Sequence, residues 1–286
     1  MDIELRAATA ADAERCGQIC HAAFADIGGR HGFPSDMPEL EWAIADFMRW
    51  IAHPGYHVIV ATDEAGAIVG CMAIDERSTI SGLGPIAVEP TLQSRSVGLK
   101  LLNAALNRSR RREVPGVRLV QAAFNGCTMG LCARAGFVVR EPLVTLQGPA
   151  LALAIPGYRV RIATESDLAA ADALCRRIHG HERSGELRDA IATGSARIVE
   201  HDGRITGYAS ELGFGGHALG ESNEALKALI GAAGEFTGQG FNLPTRNSEL
   251  FRWCLEHGLR IVQPLTLMSL GLYNEPQGMF LPSITY

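Results

Sequence analysis

Apolar positions along the chain alternate between a period of two and a period of three to four. Ile3-Glu4-Leu5-Arg6 alternates as a half-buried strand does, and Thr9 stands where an N-cap would open a helix over 10–24. A glycine- and proline-rich loop over 28–38 follows. Leu40, Ile44, Phe47, Met48 and Ile51 then recur at helical spacing and predict a helix over 39–51, and the aromatics of this region, Phe24, Phe33, Trp42, Phe47 and Trp50, read as core ahead of a substrate cage. The stretches 57–62 and 68–75 read as a hairpin turning at Asp63-Glu64-Ala65-Gly66, with a further strand over about 79–88. Val97, Leu101, Leu102, Ala105 and Leu106 give the next helix a buried face; a strand over 117–123 and a helix from Gly126 follow it. Gly136-Phe137 opens a last strand.

The same order then starts again. Arg161-Ile162-Ala163-Thr164-Glu165-Ser166-Asp167 repeats Arg6-Ala7-Ala8-Thr9-Ala10-Ala11-Asp12 at an offset of 155, with Cys175 in step with Cys20. Gly203-x-Ile205-x-Gly207 repeats Gly66-x-Ile68-x-Gly70, and Asn247, Cys254, Gly258 and Pro264 repeat Asn125, Cys132, Gly136 and Pro142 at an offset of 122. An ordered series of matches over most of both halves marks a tandem duplication. The expected domains are 1–150 and 157–286, able to pack as a pseudo-dimer within one chain. The falling offset means that the second copy has lost segments, and the loss between Gly207 and Asn247 covers the counterpart of residues 84–102. Gly213-Phe214-Gly215-Gly216 supplies glycines there in another arrangement, ahead of a helix over 223–233.

Residues 84–102 carry the most specific chemistry. An apolar strand, Ile86-Ala87-Val88, breaks at Pro90, crosses Gln93-Ser94-Arg95-Ser96-Val97-Gly98 and enters a helix. Small residues at Ser94, Ser96 and Gly98 let backbone N–H groups turn inward, and a helix N-terminus adds partial positive charge, so this loop is a phosphate cradle. Val-x-Pro followed by Gln-x-x-Ser-x-Gly resembles the acetyl-CoA signature of the GNAT acetyltransferases, usually Gln/Arg-x-x-Gly-x-Gly/Ala, with Ser96 in the place of the first glycine. Asn125 through Gly136-Phe137 resembles the second signature of that family, and Arg-x-Ala-Thr-x-x-Asp is a common opening of its domains.

The resemblance implies an α/β (α+β) fold of two tandem GNAT-like domains, each a mixed, mostly antiparallel sheet flanked by helices. It implies acetyl transfer from acetyl-CoA, as substrate, to an amine by direct attack on the thioester. Within the family a strand bulge exposes a backbone N–H to the thioester carbonyl, here expected at Ile86, Ala87 and Val88, and Asn125 would contact the pantetheine arm or cap its own helix. The tyrosine that protonates the leaving thiolate is replaced by Cys132, which as a thiol could donate that proton and otherwise reads as a small buried core residue, a reading that Cys254 at the repeated position supports. Asp75 and Glu76, at the end of the strand facing the cradle strand, are candidate bases. The aromatic tail ending at Tyr286 is expected to dock, bringing a phenol and a carboxylate toward the first domain's site. The rival reading is a non-catalytic acyl-CoA-binding or regulatory protein, motivated by Ser96 and Cys132; a third is a ligand-free dimerisation scaffold.

Composition narrows the partners. A net charge of -5 lacks the basic excess that nucleic acid requires, and Arg108 to Arg112 reads as a solvated helix end ahead of a CoA 3'-phosphate contact. The seven cysteines form no C-x-x-C pair, so neither a zinc site nor any other metal is expected, and the thiols should be reduced. With no apolar run of membrane length and no leader at Asp2 and Glu4, the expected location is cytoplasmic, the expected partner a small-molecule amine, and no membrane is involved.

Overall fold

The computed structural model describes residues 2–93 and 96–286. The first half runs β1 (Glu4–Ala7), α1 (Ala13–His31), α2 (Leu40–Ala52), β2 (Tyr56–Thr62), β3 (Ile68–Asp75), β4 (Ser81–Val88), α3 (Val97–Arg111), β5 (Gly116–Ala122), α4 (Gly126–Arg134) and β6 (Val138–Gln147). The second half repeats that order as β7 (Tyr158–Ile162), α5 (Leu168–His179), α6 (Ser184–Thr193), β8 (Arg197–His201), β9 (Arg204–Ala209), β10 (Ala218–Gly220), α7 (Asn223–Ala232), β11 (Phe241–Pro244), α8 (Ser248–Glu256) and β12 (Arg260–Gly271). A final strand, β13 (Met279–Leu281), has no counterpart in the first half.

The repeated Arg-x-Ala-Thr-x-x-Asp is a clasp at each helix start. Arg6 donates to both oxygens of Asp12 at 2.7 and 2.9 Å, and Asp12 also accepts the Thr9 N–H at 2.7 Å. Arg161, Asp167 and Thr164 reproduce this at 2.7, 2.7 and 2.8 Å. A bidentate arginine and an N-terminal backbone donor both favour the carboxylate's charged form, and the Asp167 pKa is held down to about 2. Residues 28–31, expected in a loop, instead complete α1. Gly32, at φ 72, ends the helix with its N–H on the Gly28 and Gly29 carbonyls.

The strands do not stay with their own copies. One sheet has the order β1-β2-β3-β4-β5-β12-β6-β11, the other β13-β10-β9-β8-β7. β12 lies between β5 and β6, with Leu265 opposite both Ala122 and Leu143, and β11 extends the sheet along β6 through Asn242 opposite Thr145. The join near residues 149–157 thus separates the copies in sequence while β6 and β12 knit them together. Val120 and Leu143 of the first half pack in one core with Leu174, Ile198, Leu265 and Tyr286 of the second. Cores of the first half lie on opposite faces of the shared sheet: one under α3 and α4 holds Leu101, Leu102 and Phe137, the other under α1 and α2 holds Ile19, Phe47 and Trp50. Among the described residues, no helix is long and apolar enough to cross a membrane.

Two V-shaped openings follow from this topology. β4 and β5 run parallel and pair only at Ser81–Val117 and Gly82–Arg118, beyond which they diverge. At the equivalent place in the second copy, β13 pairs with β10 from Ala218–Leu281 to Gly220–Met279, and Asn242 of β11 donates to the Pro282 carbonyl at 3.1 Å. The tail therefore closes the second V.

Candidate functional site

The first V opens into a cleft of about 1370 Å3 that runs from the N-terminus of α3, between β4 and α4, to the join between the two copies. Backbone phase along β4 decides which groups face it. Glu89 N–H donates to the Val69 carbonyl at 2.9 Å, with Val88 opposite Gly70 and Ala87 opposite Cys71. Alternation in an antiparallel ladder then turns the Ala87 N–H toward β3 and those of Ile86 and Val88 toward the opened side. Ile86 and Val88 are thus placed to donate into the cleft, whereas Ala87 is not. The bulge lies slightly earlier than 86–88: Ile86 pairs with Met72 and Leu83 with Ile74, leaving Gly84 and Pro85 against Ala73. Proline has no N–H for the ladder, which localises the irregularity there.

Gln93, Ser96, Val97 and Gly98 line the same cleft. Gln93 accepts from Arg30 at 3.3 Å, and Ser96 takes the left-handed conformation at φ 66, which accounts for the family's glycine at this place. A Cβ on Gly98 would meet Leu131 and Val88 at ordinary contact distances of 3.7 and 3.8 Å, so the glycine sits between α4 and the end of β4. Ser94 and Arg95, the other expected cradle residues, lie outside the described residues. In the second copy residues 221–222 alone separate β10 from α7, against 89–96 between β4 and α3, which leaves no length for a cradle.

Asn125 lines the cleft, and its side-chain oxygen accepts the Thr128 N–H at 3.1 Å, capping α4. Asn247 caps α8 in the same way through Leu250 at 3.3 Å. Cys132 lines the cleft from α4, and burial pushes its thiol up to about 11. Cys254, at the matching place on α8, is raised by burial to about 12.

Glu76 does not reach the cleft. Its buried carboxylate is held by Arg108 at 2.7 and 2.9 Å and by Arg112, at the far end of α3, about 20 Å from the cradle by helical rise. The same ion pairs occupy part of the basic run. Asp75 is engaged by Arg77 at 3.0 and 2.6 Å; burial raises its pKa, and the arginine overrides this to leave it below the ordinary value. Tyr286 is buried in the second copy's core, its hydroxyl 3.3 Å from His179 Nδ1 and its ring 4.9 Å from the Arg183 guanidinium. The phenol thus points away from the first V, while Ile284 and Thr285 line the cleft. A Cβ on Gly82 would stand 1.9 Å from the Thr285 carbonyl oxygen, so only glycine lets the tail lie against β4 where the V begins.

The far end of the cleft contains residues that sequence patterning did not single out. The α1–α2 loop is clasped from the second copy, where Gln239 donates to the Ser35 carbonyl at 2.9 Å and Gln263 donates to Asp36. Trp42 is 57% exposed toward this opening, whereas Phe47 and Trp50 are core residues as expected. The arginines here are neutralised: Arg49 pairs with Asp46 at 2.7 Å, and Arg77 with both Asp75 and Asp189. Asp36 and Glu211 have no cationic partner among the described residues; Glu211 accepts from the Thr237 hydroxyl at 2.7 Å. Burial raises the Asp36 pKa to about 6 despite the opposing hydrogen bond from Gln263. Among the described residues no group of His, Cys, Asp and Glu side chains is arranged to hold a metal ion.

Two copies of one mixed α/β unit, with a single open V leading to a helix N-terminus, define the class of tandem GNAT-fold proteins. Residues 23–137 match the model of the acetyltransferase (GNAT) family. The whole chain is similar in fold to a putative acetyltransferase from Pyrococcus horikoshii, with a TM-score of 0.75 at 18% identity over 97% of this chain and 94% of that one. A GCN5-related N-acetyltransferase from Sphaerobacter thermophilus aligns with a TM-score of 0.60 at 13% identity over 96% of each chain. A tandem GNAT protein from the clavulanic acid biosynthesis pathway aligns with a TM-score of 0.56 at 17% identity over 94% of this chain and 98% of that one. No curated protein sequence matches the chain.

Proposed function

We propose that this protein transfers the acetyl group of acetyl-CoA to a small-molecule amine at the first V. The observation that carries the reading is the divergence of β4 from β5. It leaves the Ile86 and Val88 N–H groups facing a cleft that continues to the N-terminus of α3 at Val97. Those donors suit the carbonyls of a pantetheine arm and of a thioester, and the orphan N–H groups of the first turn of α3 suit a pyrophosphate. A backbone donor aimed at the developing oxyanion lowers the barrier by roughly 3 kcal/mol. Attack of the amine nitrogen on the thioester carbon gives a tetrahedral adduct, whose collapse breaks the C–S bond and releases the thiolate.

Cys132 keeps its proton at neutral pH, but at about 11 it is a weaker acid than a thiol of ordinary pKa, roughly 8.5. The thiolate takes a proton more readily from the nitrogen that has just attacked. Cys254 is just as buried although the second V is filled, and this favours a packing role at both positions. The absence of a tyrosine at 132 also supports the second reading, a non-catalytic acyl-CoA-binding protein.

Melting temperature with acetyl-CoA and with CoA, measured on the wild type and on Gly98→Asp, tests the binding step. Ligand at about 100 times its dissociation constant adds about 2.7 kcal/mol to the folded state. A carboxylate at 98 repels phosphate and should remove that rise. Absence of a rise in the wild type would sink both acyl-CoA readings. A rise with no thiol release on any amine would favour the binding protein.

A further inference from the structure

We propose that Asp36 is the seat of the acceptor's ammonium group and takes from it the proton that frees the attacking nitrogen, with Gln263 of the second copy as its positioning residue. The seat stands on the cleft by itself; the proton-transfer step rests on the acetyl-transfer reading above. Asp36 is half-buried at the acceptor end of the cleft. Its Oδ1 accepts from Gln263 Nε2, and its Oδ2 has no protein donor among the described residues. Gln263 is 1% exposed, and its own Oε1 is buried without a donor. A buried amide left half-satisfied is costly, and what Gln263 secures in return is the orientation of the Asp36 carboxylate.

The surroundings suit a cation. The titratable groups on the elements around Asp36 are the buried Cys20 thiol and His21 on α1, the Asp46–Arg49 ion pair on α2, and Glu211 beyond Asp46 from the second copy; Arg49 is taken up by Asp46 at 2.7 Å, and among the described residues no arginine or lysine forms an ion pair with Asp36. His21 is held to the Met37 carbonyl at 2.8 Å. Phe24, Trp42 and Phe214 line the same cleft, so a primary amine with an apolar body is the acceptor that fits. An ammonium R–NH3+ would give one proton to Asp36, which passes it to solvent. The nitrogen lone pair then bonds the thioester carbon to give the tetrahedral adduct, the C–S bond breaks as that adduct collapses, and a second nitrogen proton goes to the CoA thiolate. The products are R–NH–acetyl, CoA–SH and one released proton. A carboxylate raised to about 6 is a stronger base than an ordinary one, and removal of the ammonium from water makes it a stronger acid.

The test compares wild type, Asp36→Asn and Gln263→Leu, using phenethylamine as a cationic probe and phenylalanine as its zwitterionic counterpart. Calorimetry of acetyl-CoA, calorimetry of phenethylamine, and thiol release over pH 5–9 are read separately. Expected for the wild type are a preference for phenethylamine and a kcat/KM that rises with pH up to about 6 and then levels. Asp36→Asn should lose phenethylamine affinity tenfold or more and kcat/KM roughly 100-fold at pH 7.5, with acetyl-CoA affinity unchanged. Its remaining rate should keep climbing toward pH 9, where free amine takes over. Gln263→Leu should shift the inflection of the profile, which a purely structural role would not do. Because a carboxylate whose pKa is raised by folding opposes folding above that pKa, Asp36→Asn should also melt higher at pH 7.5, the gain fading as pH falls from about 6 toward 4. Asparagine variants within threefold of wild type in amine affinity and turnover, or a preference for phenylalanine, would overturn the proposal. Loss of acetyl-CoA binding in the wild type would count against the acetyl-transfer reading instead, and amine calorimetry would still decide the seat.

Discussion

The two V-shaped openings descend from one sequence pattern and end with opposite contents. In the first, β4 and β5 part after two residue pairs, and a cleft leads to a helix N-terminus. In the second, β13 occupies the edge of β10, and β11 is tied to the tail through Asn242 and Pro282. The shortened copy has only residues 221–222 between β10 and α7, but it is not idle. It supplies β12 to the first copy's sheet, Gln239 and Gln263 to the first copy's loop, and Thr285 to the floor of the cleft at Gly82. Duplication followed by loss has left one open cleft and one copy that buttresses it.

The largest way to break this comparison is to loosen the tail whose upstream strand fills the second V. Tyr286→Ala removes a large buried aromatic, and a cost of about 3–5 kcal/mol is expected in urea unfolding. Acetyl-CoA should still bind at no more than one site per chain, since residues 221–222 leave no room for a second cradle. Two sites in a folded variant would show that the tail, not the missing loop, is what disarms the second copy.

Smaller substitutions sharpen the contrast at matched positions. Cys132→Ala and Cys254→Ala should each cost about 1–2 kcal/mol, and thiol release by Cys132→Ala should stay within threefold of wild type. A loss of 100-fold there would restore Cys132 as the acid. Asn125→Ala and Asn247→Ala each remove a helix cap worth about 1 kcal/mol, equal in stability scans. Acetyl-CoA affinity should fall with Asn125→Ala and not with Asn247→Ala; equal affinities would reduce Asn125 to a cap alone. Smallest of all, Ser96→Gly relieves a left-handed serine and should stabilise by about 0.5–1 kcal/mol, visible as a slightly raised melting temperature.

Much of the local architecture was legible because it is written in neighbouring residues. Hydrophobic spacing placed the helix behind the cradle and the β2–β3 hairpin, and the Arg-Thr-Asp repeat placed each helix start through contacts that span six positions or fewer. The end of α1 was misplaced because Gly28 and Gly29 read as a breaker, whereas the αL conformation of Gly32 is what stops the helix. Trp42 read as core because an aromatic usually is, yet it lies off the apolar stripe of α2 and faces the cleft. Glu76 read as a strand-end base, and nothing local revealed that two arginines of the next helix hold it.

By itself the sequence determined that the chain is a duplication, which copy kept the longer connection into its third helix, and where most elements begin, since periodicity and caps act over a few residues. Tertiary structure decided the rest: the exchange of β6 and β12, the tail that fills one V, and the meeting of Asp36 with Gln263 across 227 positions. Those outcomes depend on which surfaces pack together, and two groups so far apart in the chain leave no mark on the residues beside them.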